Sequence, residues 1–183
     1  GPRRLLASAH QPAPPPMYVA GSTLQTLGFA LAQDLPLLLS LEPCEAAQLL
    51  QLEQAAQACG QNTSSLRERS SLARYVCIGA NDADVHAQLH TLWGQLYQRR
   101  VHFAGKRGVA PHDVPPIQVE QVLREQFIFG TPEACHAQLK ALAMHTGVRQ
   151  IRCVFNANGL WSNPQALAGM ELFANEVMPA LRR

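Results

Sequence analysis

The chain has 183 residues, 47% of them apolar, and a formal net charge of +2 at pH 7. That is enough for one domain with a real core, over 1–183, and too little charge to point to nucleic acid. No apolar run approaches the length of a membrane span, and no signal-peptide core follows Arg3-Arg4.

The first sixteen residues read as loop, because Pro12, Pro14, Pro15 and Pro16 forbid helix and favour extended backbone. A start at Gly1-Pro2 in place of Met fits an expression scar or an internal point of a longer protein. Met17-Tyr18-Val19-Ala20 is a short apolar run between Pro and Gly, the mark of a buried strand. Gly21-Ser22-Thr23 then turns the chain, and Ser22 or Thr23 caps a helix over 24–33. Leu37-Leu38-Leu39-Ser40 reads as a second strand, followed by a helix over 45–59 that stops at Gly60.

Residues 61–71 read as a polar loop, and Arg74 to Gly79 as a third strand. Asn81-Asp82 caps a long helix over 83–100. An insertion follows over about 101–129. It is irregular to Pro116, given Gly105, Gly108, Pro111, Pro115 and Pro116, with a short helix over 117–125. Thr131, Pro132 and Glu133 open a helix that Gly147 ends. Ile151-Arg152-Cys153-Val154-Phe155 is a fourth strand, and Asn163-Pro164 opens a last helix ending near Met178-Pro179. Continuous apolar strands alternating with helices predict an α/β fold with a parallel sheet.

Five cysteines, at 44, 59, 77, 135 and 153, are odd in number and form no CxxC pair. That usage fits free thiols in a reducing cytoplasm better than a disulfide framework, and no metal site is expected. His86 and His90 stand four apart on a helix but lack a third ligand, so they read as a solvated face. His136 and His145 read as surface, and His102 and His112 fall in the insertion. Trp93 and Trp161 read first as packing residues, with Trp161 nearer the strand ends where ligands bind. Asn156 and Asn158 read as turn formers that tolerate left-handed backbone.

The local site with most chemistry is Gly21-Ser22-Thr23 with Thr26 one turn on. It lies between a strand end and a helix start, where free N–H groups and the helix dipole favour a phosphate. On the residues alone an ordinary helix cap is the favoured reading.

The stretch from Gly130-Thr131-Pro132-Glu133 through Gly147-Val148, Asn156-Ala157-Asn158-Gly159 and Met170-Glu171-Leu172-Phe173 to Pro179 carries a family pattern. It resembles the closing unit of bacterial luciferase-like flavin monooxygenases, the alkanal monooxygenase type. Residues 18–40 and 74–87 fit the same family in the same order. The resemblance implies a (β/α)8 TIM-barrel type of fold, with this chain covering about the last four βα units. A full barrel of this kind takes about 250 residues.

The same resemblance implies an oxidoreductase that uses reduced FMN, supplied by a separate flavin reductase, and O2 to oxidise an aldehyde or other small organic substrate. It places Gly21, Ser22, Thr23 and Thr26 at the FMN phosphate, with Thr23 and Thr26 as hydroxyl ligands. A one-residue ambiguity lets Ser22 and Thr23 exchange roles. Leu41 falls where related luciferases can place an aromatic against the flavin ring, so only an apolar contact is expected. The family's N-terminal half supplies its catalytic His and Cys, so no catalytic residue is assigned. The free strand edges of a half-barrel need cover. The partner is expected to be the missing N-terminal half or a second copy, giving a dimer. The alternatives are a non-catalytic flavin-binding or subunit-partner half-barrel, and a structural homodimer without flavin.

Overall fold

Strand β1, Ser71–Ile78, is buried along all eight residues. Its near-continuous apolar run is what a strand covered on both faces requires. The computed structural model describes residues 15–157 and 159–182. Pro12, Pro14, the two terminal dipeptides noted above and Asn158 lie outside them.

Strand β1 pairs in parallel with β2, Phe127–Gly130, from Tyr75↔Phe127 to Ile78↔Gly130. Its other edge pairs in parallel with β3, Gln150–Val154, from Ser71↔Gln150 to Tyr75↔Val154. The three-stranded order is β2-β1-β3. The helices are α1 Leu24–Ala32, α2 Glu45–Cys59, α3 Ser64–Arg69, α4 Asp82–Gly105, α5 Val119–Gln126, α6 Pro132–Thr146, α7 Asn163–Leu172 and α8 Met178–Leu181. The α/β class expected from the sequence is present. No helix among the described residues is long and apolar enough to cross a membrane.

Alternate residues of β1 face different layers. Leu72 joins α1 and α2 in one cluster with Leu27, Leu31, Leu49 and Leu52. Val76 and Ile78 meet Cys135 and Leu139 of α6, together with Phe173 and Val177. Tyr75 and Cys77 point to the opposite side, where Val85, Leu89 and Leu92 of α4 cover them. The spacing of those three residues is the apolar stripe of an amphipathic helix.

Two of the four expected strands are reduced to single parallel bridges, Val19↔Leu37 and Leu38↔Ser71. Pro36 lacks an N–H and Gly21 turns the chain at φ +148°, so neither run extends into a ladder. The bridges are still well bonded: Leu38 N–H donates to the Val19 carbonyl at 2.9 Å, and Leu39 N–H to the Ser71 carbonyl at 2.7 Å. Leu38 therefore lies on the β2 edge of β1, since β3 occupies the other edge at Ser71.

Other differences have local causes. The polar loop at 61–71 contains α3, hidden because Leu66 is its one buried residue. Asn62 accepts the Ser64 N–H at 2.7 Å and starts the turn. The insertion is more regular than expected: α4 continues to Gly105, and β2 follows α5 directly. Buried Ala104 anchors that extra length. The last helix passes through a π-helical turn, Phe173–Val177, before α8. Pro179 has no N–H to donate, which suits a widened turn just before it.

Candidate functional site

The Gly21–Thr26 turn is built by its own sequence. Gly21 sits at φ +148°, and a Cβ there would fall 2.8 Å from Thr26 Cγ2. Thr23 is the N-cap of α1, with extended backbone and a side chain that accepts the Thr26 N–H at 3.2 Å. The two hydroxyls lie 2.8 Å apart, so one donates to the other. One hydroxyl proton remains to be donated outward. The N–H groups of Leu24 and Gln25 lack helical acceptors by position. No acidic residue stands in the first turn of α1.

The structure thus brings Gly21, Thr23 and Thr26 together, with half-buried Ser22 between them. The N-terminus of α6 is different, because it carries its own anion. Glu133 is held below its ordinary range by its own backbone N–H first and by the Thr131 hydroxyl second.

Beyond the Leu37–Leu38 bridges, the chain passes through Ser40, Leu41 and Glu42 into a cleft of about 820 Å³. Tyr75 of β1, Gln126 of α5 and the last turns of α4 form its other walls. Leu41 is half-buried there, as an apolar wall. From α4 come Leu96, Arg99, Arg100, Phe103 and Ala104, and Arg107 follows the helix. Short basic pairs such as Arg99-Arg100 and Lys106-Arg107 suggest no more than solvated surface in the sequence, so this cleft was not legible from them. The signal available was the continuation of an i, i+4 pattern through Phe103 and Ala104.

An aromatic cluster backs the cleft. Phe127 lies 5.1 Å from Tyr75, 6.0 Å from Trp93 and 6.3 Å from Trp161, ring centre to ring centre. Trp161 is buried in this core and lines none of the described clefts. Among the described residues of the loop after β3, Ala157 at φ 45° and Gly159 at φ 85° take positive φ, and Asn156 does not. Asn156 shapes the turn through its carbonyl, which accepts from Gly159 and Trp161.

His86, His90, His102, His112 and His145 are exposed, and His136 is half-buried. Among the described residues no group of three His, Cys, Asp or Glu side chains could hold a metal ion. All five cysteines are free. Burial pushes Cys77 and Cys135 up to about 12 and Cys153 up to about 11, so none is a ready nucleophile.

No family model matches the sequence, and no curated protein matches it. Solved structures do match its fold. The monooxygenase RslO1 from Streptomyces bottropensis is 17% identical over 96% of this chain and 51% of its own, with a TM-score of 0.64. The oxygenating constituent of 3,6-diketocamphane monooxygenase from Pseudomonas putida is a type II Baeyer–Villiger monooxygenase solved with FMN. It is 17% identical over 90% of this chain and 48% of its own, with a TM-score of 0.57. Flavoprotein 390 is 14% identical over 91% of this chain and 66% of its own, also with a TM-score of 0.57. The chain spans about half the length of the two monooxygenases, and its fold is like that half of them. At these identities the likeness is one of fold.

Proposed function

We propose that the chain is the C-terminal half of a luciferase-like, FMN-dependent monooxygenase barrel. It works with a partner half to oxidise an aldehyde or other small organic substrate with O2. The observation that carries this reading is the open start of α1, with its paired Thr23 and Thr26 hydroxyls and no carboxylate. It stands in a fold like that of a monooxygenase solved with FMN.

The residues fit a phosphate monoester. Leu24 and Gln25 N–H groups and one hydroxyl supply donors, the α1 dipole favours the anion, and Gly21 keeps the approach free of a side chain. Ser22 adds a further hydroxyl. Bound reduced flavin would supply the oxygen chemistry, and the protein's part is to hold it and exclude water. Leu41 would give that site an apolar wall. Reduced FMN would come from a separate flavin reductase.

The remaining partner is a matter of edges. β3 pairs only with β1 among the described residues. Beside its free edge, Phe155, Leu167 and Met170 line an open cleft. An unpaired edge beside apolar side chains calls for cover. A missing N-terminal half or a second copy would supply it, and five free thiols suit a reducing cytoplasm. The alternative is a non-catalytic flavin-binding or subunit-partner half-barrel, favoured by a described cleft whose ionisable lining is Glu42, Tyr75 and arginines.

Titration with FMN tests the site: Thr23→Ala/Thr26→Ala should weaken binding by about tenfold or more. Unchanged affinity in that variant would remove the phosphate role. Sedimentation tests the partner, with a stable 20.0 kDa monomer as the contrary result.

A further inference from the structure

We propose that the cleft between α4 and residues 40–42 binds an amphipathic organic anion, an apolar body ending in a carboxylate or sulfonate. Arg100 and Arg107 hold the charged end. The binding stands on the cleft's own residues; only its identification as the substrate subsite rests on the flavin reading.

The volume, about 820 Å³, is in the range of small-molecule pockets. Much of the lining is apolar, from Leu41, Leu96, Phe103, Val109 and Val114. Phe103 is 51% exposed and Val109 40%. Exposed apolar side chains inside a concavity are what the body of a ligand covers.

The charge is one-sided. Arg99, Arg100 and Arg107 face a single carboxylate, Glu42. Glu42 is engaged, since Gln126 donates an amide hydrogen to it at 2.9 Å. Arg99 donates to the Ala157 carbonyl at 3.3 Å and is thereby positioned. Among the described residues no carboxylate pairs with Arg100 or Arg107. Lys106 stands over the Phe103 ring at 5.6 Å and adds a positive charge at that end of α4.

A helix C-terminus attracts basic residues for its dipole alone, which accounts for Lys106 and Arg107. It does not account for Arg100, more than one turn from the end, nor for the apolar wall opposite. Planar guanidinium groups bind carboxylates and sulfonates through paired hydrogen bonds, which makes an anionic head the fitting complement.

Calorimetric titration of the full chain with octanoate, octane-1-sulfonate, octan-1-ol and inorganic phosphate tests this. The two amphipathic anions should bind. Arg100→Gln/Arg107→Gln should weaken both by about tenfold, with octanol changed by less than about twofold. Phe103→Ser should weaken all three amphiphiles. Raising salt about tenfold should weaken octanoate severalfold in the unmutated chain and spare octanol, a reading that needs no variant.

Octanol binding as tightly as octanoate would overturn the proposal, as would octanoate binding indifferent to both salt and the double variant. Absence of octanoate binding, or phosphate competing as well as octanoate, would also overturn it. FMN titrated in parallel separates the two readings. Loss of FMN binding with octanoate retained sinks the flavin reading alone. FMN displaced by octanoate, with both lost in the arginine variant, makes the cleft a cofactor site and sinks this one.

Discussion

Thr26 occupies the space that any side chain on Gly21 would need: a Cβ at Gly21 would lie 2.8 Å from Thr26 Cγ2. Gly21 also holds φ +148°, which other residues rarely adopt. Gly21→Ala should therefore lower stability by about 1–3 kcal/mol in urea unfolding. It should weaken FMN binding more than that loss explains, because the turn must shift away from Thr26. Wild-type stability in the variant would show that the turn relaxes freely and that the close approach constrains nothing.

Arg74 and Glu45 join β1 to the start of α2. They form an ion pair with the guanidinium 2% exposed and the carboxylate 13% exposed. Coulomb attraction and desolvation nearly offset each other in such a pair, but removing one partner strands the other. Glu45→Gln should cost about 3–5 kcal/mol. Arg74→Met/Glu45→Gln should recover much of that loss. A double variant less stable than Glu45→Gln, by urea midpoint, would show that Arg74 matters for its packing and not its charge.

Phe127 is 3% exposed and touches Tyr75, Trp93 and Trp161. Phe127→Ala should cost about 3–5 kcal/mol through lost burial and the cavity left behind. Both tryptophans should report it as a red-shifted emission. A small loss with unshifted emission would mean that α4 closes over the gap.

Cys77, Cys135 and Cys153 keep their protons to about 12, 12 and 11, chiefly through burial. Unfolded thiols ionise near about 8.5. Above that pH the unfolded chain has released protons that the folded chain still binds, so stability falls as pH rises. Below it both states are protonated and the contribution is full. The slope is about 1.4 kcal/mol per pH unit for each such thiol. Urea midpoints compared at about pH 8 and pH 10 should drop, and drop less in Cys77→Val. At about pH 8 a thiol reagent should reach exposed Cys59 quickly, and Cys77 and Cys135 only on unfolding.

The helices were legible in the sequence where caps and stop residues agreed with the apolar stripe. The helix over 45–59 is found at those bounds, and Thr131-Pro132 and Gly147 frame α6 as read. The helix α3 was hidden because its stability comes from Leu66 and from Thr63 and Arg67 bonding Glu53, which a local pattern does not show. The first two strands were overestimated for the converse reason. Their apolar runs are real, but pairing depends on a neighbour, and among the described residues the first finds one bridge and the second two. At the candidate site, the sequence named Gly21, Ser22, Thr23 and Thr26. The structure added the hydroxyl pair and the close approach at Gly21.

The sequence by itself determined the α/β class, the ends of α2 and α6 and a capped turn at Ser22 or Thr23, because caps and periodicity act within a few residues of chain. Only the tertiary structure decided that Phe127–Gly130 is a strand, that the end of α4 turns its arginines toward Leu41, and that Glu42 is engaged by Gln126. Each of those depends on residues far apart in the chain, such as 42 and 126, whose meeting is set by how β1 orders the sheet.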